Sequence, residues 1–95
     1  MDVQSDYEQR ARAFMALSDP TRLQIVELLG SGGESSTSEV AERLGISLPL
    51  ACHHTKLLVD VGLINKRKEG QTKYVSLNQG LLNALLASLS GRAAR

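Results

Sequence analysis

Residues 37–64 read TSEVAERLGISLPLACHHTKLLVDVGLI. Val40, Ala41 and Leu44 recur at i, i+1 and i+4, so they share one face of a short helix. Thr37 or Ser38 suits its cap, and Leu44 is its end. Gly45 then supplies the left-handed residue that closes a helix. Ser47 is a good N-cap for a second helix, and Pro49 is tolerated in a first turn. That helix extends to about Asp60, where Gly62 stops it. Two helices joined by a Gly-containing turn, over about residues 38–60, form a helix-turn-helix, whose second helix can enter a DNA major groove. Any pair of short amphipathic helices gives this pattern, so its weight comes from its neighbours in the chain.

Downstream, two extended runs, Leu63-Ile64-Asn65-Lys66-Arg67-Lys68 and Lys73-Tyr74-Val75-Ser76-Leu77, flank a Glu69-Gly70 turn. This predicts a β-hairpin over about 63–77. Lys66, Arg67, Lys68 and Lys73 make it strongly basic. Such charge can be a solvated edge that discourages strand pairing. Directly after a helix-turn-helix, it favours phosphate contact. Asn78 or Gln79 opens a last helix, about 79–90, whose Leu81, Leu82, Leu85, Leu86 and Leu89 lie on one side. Gly91 ends it.

Upstream, Tyr7, Ala11, Phe14 and Met15 recur at helical spacing over about residues 3–17. The stripe suits an intramolecular core or a dimer face. Asp19 caps a second helix with Pro20 in its first position, and Leu23, Ile25, Val26, Leu28 and Leu29 make it apolar over a wide arc. Gly30-Ser31-Gly32-Gly33 ends it, and a short extended segment leads to Thr37. The predicted fold is mainly α with a small β-hairpin: one winged helix-turn-helix domain over 1–95, with an extra dimerisation helix at each end. The leucine-rich last helix has more apolar surface than a small domain easily covers, so it is expected to pair with the first helix of a second copy.

Composition bounds the function. The chain has 95 residues and a formal net charge of +1. Residues 1–45 sum to −4 and residues 46–95 to +5, so one face can meet an anionic partner. No apolar run is long enough to span a bilayer and the N-terminus is polar, so a cytoplasmic protein without membrane contact is expected. A single cysteine excludes an intrachain disulfide. There is no Gly-rich phosphate loop, and Cys52 beside His53 is no catalytic dyad, so no enzyme is expected.

Three stretches carry a family resemblance. Ala16-Leu17-Ser18-Asp19-Pro20-Thr21-Arg22-Leu23 through Leu29 resembles the opening signature of the ArsR/SmtB transcriptional repressors. Gly45-Ile46-Ser47 through His53-His54, Lys56, Leu58 and Gly62-Leu63-Ile64 resembles their recognition helix, and Arg67-Lys68-Glu69-Gly70 with Tyr74 and Leu77-Asn78 resembles their wing. The resemblance implies a homodimeric repressor on a palindromic operator in double-stranded DNA, released by an inducer. The chain departs from the family pattern at Cys52, commonly Ser, at Thr55, commonly a core Leu, and at Gln71, often Arg.

Several residues follow as the DNA face. Ala51, Thr55 and Leu58 point to the core. Pro49, Cys52, His53 and Lys56 lie on or near the opposite face. Ser47, Cys52 and His53 suit base contacts, while Lys56, Lys66, Arg67, Lys68 and Lys73 suit phosphate, with Gln71 at the wing tip. His54 packs toward the wing or the domain body. Leu48 and Leu50 suit either thymine methyl groups or packing on the neighbouring helix, and Leu48 is counted with Pro49 among the expected DNA-binding residues. Tyr7, Ala11, Phe14, Leu81, Leu82, Leu85, Leu86 and Leu89 are the expected dimer interface. Family metal sites need cysteines within Ser38–Leu44 or His, Asp and Glu within Leu81–Ser90. Neither set is present, and Cys52, His53 and His54 project about 100° apart in turn. No metal or other cofactor is expected. Oxidation of Cys52 to a sulfenic acid would place a new polar group against DNA, which makes it the candidate sensor. The alternatives are a Ser-like Cys52 with no sensing role, a metal-responsive repressor with a non-standard site, and a winged-helix module that binds protein.

Overall fold

The computed structural model describes residues 3–90. The elements are α1 (Val3–Ala16), α2 (Pro20–Gly32), β1 (Ser35–Ser36), α3 (Thr37–Leu44), α4 (Leu48–Asp60), β2 (Ile64–Glu69), β3 (Thr72–Leu77) and α5 (Gln79–Ser88). The hairpin is part of a three-stranded antiparallel sheet of order β1-β3-β2. The short segment before α3 supplies the extra strand by pairing Ser35 with Val75 and Ser36 with Tyr74. Gly91, expected to end the last helix, lies outside the described residues.

Local chemistry sets the boundaries. Asp19 caps α2 by accepting from the Arg22 N–H at 3.1 Å, with Pro20 next, where its missing donor costs nothing. α2 runs on through Gly30 and stops only at Gly33, whose φ of 80° closes it. The cap of α3 corrects the sequence reading. It is Ser36, one residue before Thr37, and it forms a capping box: Ser36 Oγ accepts from the Glu39 N–H and Glu39 Oε1 accepts from the Ser36 N–H. This reciprocal pair satisfies two orphan donors and outcompetes a simple Thr37 or Ser38 cap. Gly45 ends α3 with φ 68°, and Ser47 caps α4 through the Leu50 N–H.

The core lies where α2, α3, α4 and the sheet meet. Ile25, Val40, Ala51, Leu58 and Leu63 are fully inaccessible, and Ile64 and Val75 nearly so. The exit from α4 is held by Asn78. Its N–H donates to Leu63 O, its Nδ2 donates to Gly62 O, and its Oδ1 caps α5 through the Leu81 N–H. One side chain thus joins the end of α4, the end of the wing and the start of α5.

Leu85 was expected at a dimer interface but is 3% exposed, in the core of its own chain. Leu81 and Leu82 are half-buried against that core, as is Phe14. The outer residues of the terminal helices differ: Tyr7 is 58%, Met15 68%, Leu86 56% and Leu89 66% exposed, and Ala11 is exposed beside them. Among the described residues no helix is long and apolar enough to cross a membrane.

Candidate nucleic-acid interface

α4 is anchored from below by Ala51, His54, Thr55 and Leu58, all buried. Thr55, where the family pattern commonly has a core Leu, donates its hydroxyl to Cys52 O at 3.1 Å, so its burial leaves no polar atom unpaired. His54 faces the domain body and not the wing. Arg22 Nη1 lies 3.1 Å from His54 Nδ1, and because a guanidinium can only donate, Nδ1 accepts. Arg22 Nε also donates to Ala16 O at 2.6 Å. Arg22 therefore ties the recognition helix to the turn between α1 and α2. The hydrogen bond that Asp19 accepts from the Arg22 N–H, and next the Arg22 charge, hold the Asp19 carboxyl below its ordinary pKa against desolvation.

The outward side of α4 carries Leu48, Pro49, Leu50, His53, Lys56 and Asp60, all exposed. Lys56 Nζ pairs with Asp60 Oδ2 at 3.1 Å. Both groups are solvated, so this pair is worth little and phosphate can displace the carboxylate. Leu48 and Leu50 are 46% and 42% exposed, so neither is sequestered by packing on the neighbouring helix. Both lie in the first turn of α4, off the arc of Ala51, His54, Thr55 and Leu58 that faces the core.

The strand register sorts the wing's charges. Lys66 pairs with Val75 and Lys68 with Lys73, while Arg67 pairs with Tyr74. Side chains alternate along a strand and cross-strand partners share a face. Lys66, Lys68 and Lys73 thus share the face of Ile64 and Val75, and Arg67 points the other way. A groove of about 310 Å³ between α4 and the wing is lined by Thr37, Cys52, Thr55, Lys56, Lys66 and Lys73, among others. Leu48, Cys52, Gln71 and Lys73 border its neighbour toward the wing tip. Cys52 is half-buried in this groove and not on the outermost face of α4.

Arg67, one of the expected phosphate contacts, is paired within its own chain. Its Nε and Nη2 donate to the two Glu34 oxygens at 3.1 and 2.9 Å, and Nη1 donates to Glu69 Oε1 at 2.9 Å. The guanidinium also lies 4.6 Å from the Tyr74 ring centroid. Two carboxylates and a ring face thus engage three of its five N–H donors, although Arg67 and both glutamates keep a large part of their side chains in water. The Arg67 hydrogen bonds hold Glu34 below its ordinary carboxylate pKa, and the two glutamates push the Arg67 pKa up. Arg67 is a clamp between the wing and the loop before β1. Glu34, Glu69, Tyr74 and Asn78 were absent from the expected site, although counting by twos from Ile64 already separates Arg67 from the lysines.

Along α4, Cys52 is half-buried, His53 exposed and His54 buried, with the two imidazole rings edge to face at 5.3 Å. Among the described residues no three His, Cys, Asp or Glu side chains gather where a metal ion could be held.

A helix-turn-helix domain family model matches residues 17–67. The chain is 44% identical over 84 residues to the HTH-type transcriptional regulator YceK of Bacillus subtilis, covering 87% of this chain and 84% of that one. It is 34% identical to the arsenical resistance operon repressor of Staphylococcus aureus, over 88% of this chain and 80% of the repressor. Among solved structures it resembles the homodimeric winged helix-turn-helix DNA-binding domain of Mb0332 from Mycobacterium bovis, a possible ArsR-family regulator. That match has a TM-score of 0.78 and 28% identity, over 93% of this chain and 82% of that one. Composition, helix-turn-helix, wing and relatives converge: the chain belongs to the ArsR/SmtB family of winged-helix transcriptional repressors.

Proposed function

We propose that two copies of this chain form a cytoplasmic repressor on a palindromic operator, with α4 in the major groove and the wing lysines on the flanking phosphates. The observation that carries this reading is the groove between α4 and the wing, where Lys56, Lys66 and Lys73 converge. Dimerisation is supported by the exposed apolar residues Tyr7, Met15, Leu86 and Leu89 on the terminal helices, since monomers rarely leave such a patch in water. A two-fold pair sets recognition helices about 34–36 Å apart, one turn of DNA. The test is a mobility shift with DNA from the chain's own promoter, beside sedimentation of Leu86→Glu. The native chain is expected to sediment as a dimer and retard the fragment. Leu86→Glu is expected to be a folded monomer with at least tenfold weaker binding. A monomeric native chain that binds normally sinks the two-fold reading.

Release by an inducer belongs to the same proposal. Cys52 borders the lysine groove, so peroxide oxidation of its thiol to a sulfenic acid, with loss of water, would alter the surface that meets the DNA backbone. Operator binding is expected to weaken after peroxide in the native protein and to persist in Cys52→Ser. Equal responses would remove Cys52 as the sensor.

A further inference from the structure

The first turn of α4 is unlike the rest of its outward side. Leu48, Pro49 and Leu50 follow one another there, and both leucines are nearly half exposed. Among the described residues the other large exposed apolar side chains, Tyr7, Met15, Leu23, Leu86 and Leu89, lie on α1, on α2 and at α5. Their surroundings are cationic or polar: Lys73, Gln71 and Cys52 share a groove with Leu48, and His53 and Lys56 follow on the same outward side of α4. An apolar protein partner would have to bury these polar groups with the leucines. A polyanion with apolar spots inside a groove meets both needs at once.

The same turn is poor in hydrogen-bonding groups. Ser47 Oγ accepts from the Leu50 N–H at 3.2 Å as the helix cap. Leu48, Pro49 and Leu50 have no side-chain donor or acceptor. The polar reader His53 comes a full turn later. In the major groove the apolar feature of a base edge is the C5-methyl group of thymine. We infer that Leu48 and Leu50 are specificity-determining residues that select thymine in each half-site by contact with its C5-methyl group, while His53 reads a hydrogen-bonding edge farther along. This inference rests on the proposed placement of α4 in the major groove.

The experiment replaces operator thymines one at a time with deoxyuridine, which pairs identically and lacks only the methyl group. Burying one methyl is worth about a fourfold change in affinity. The native protein is expected to lose about fourfold at one or two positions per half-site. Leu48→Ala with Leu50→Ala is expected to bind the thymine and deoxyuridine operators equally, with an unchanged salt dependence. Neither leucine belongs to the buried core, so the variant's thermal melt should stay close to the native one. Equal affinity of the native protein for the two operators overturns the inference while leaving DNA binding intact. Persistent discrimination by the double variant overturns it as well, since the methyl contact then lies elsewhere. Failure of the native protein to bind any promoter fragment overturns the proposed function and this inference together.

Discussion

Replacing Lys56, Lys66 and Lys73 together with alanine is expected to lower the slope of log affinity against log salt by about 2.7. Each lysine that neutralises a phosphate releases about 0.9 counterion from duplex DNA. Carried to about 0.15 M salt, three such contacts amount to a loss on the order of a hundredfold in affinity. The three side chains line one groove between α4 and the wing, so they can follow one stretch of backbone. Arg67→Ala is the control. It lies beside Lys66 and Lys68 in sequence, yet its donors are held by Glu34 and Glu69. Its removal should leave the slope unchanged, with any loss of affinity coming from a less firmly held wing. Titrations of operator binding across a salt series decide this. A drop of about one unit for Arg67→Ala would show that the clamp opens on DNA, and an unchanged slope in the triple lysine variant would remove the groove from the interface.

Leu58→Ala is expected to cost about 2–5 kcal/mol of stability, the range for deleting a buried leucine side chain and leaving a cavity. Leu58 is fully inaccessible and lies under α4, with its carbonyl accepting from the Leu63 N–H at 3.0 Å as the chain turns into the wing. For a domain of this size the loss corresponds to a fall of roughly 10–30 °C in midpoint temperature. Leu48→Ala, on the same helix, should stay within about 0.5 kcal/mol because its side chain faces water. Thermal melts at one fixed chain concentration compare the two, since a dimer's midpoint depends on concentration. Similar losses would contradict the placement of these leucines.

Much of the architecture was legible from short-range chemistry. Asp19-Pro20, Gly45-Ile46-Ser47 and Asn78-Gln79 each mark a helix boundary because capping and left-handed turns are decided within a few residues. Ser36-x-x-Glu39 was equally legible as a capping box, and reading Thr37 or Ser38 as the cap overlooked it. The inward face of α4 followed from spacing alone, since Ala51, Thr55 and Leu58 fall on one arc.

The charges were harder to place. Four basic residues lie within 66–73; counting by twos sets Arg67 apart from Lys66 and Lys68, but only pairing with β3 puts Lys73 on the lysines' face, and only the loop before β1 brings Glu34 to Arg67. Leu85 and Leu86 are adjacent leucines on one apolar helix, yet one is 3% and the other 56% exposed.

The sequence by itself determined the order of helices and strands, the helix-turn-helix and the basic character of the wing. These depend on caps, turns and periodicities that act over a few residues. The tertiary structure alone decided which charges remain free, which leucines face water and what His54 touches. Those outcomes depend on groups far apart in the chain, such as Glu34 with Arg67 and Arg22 with His54, which meet only when the sheet and the helices pack.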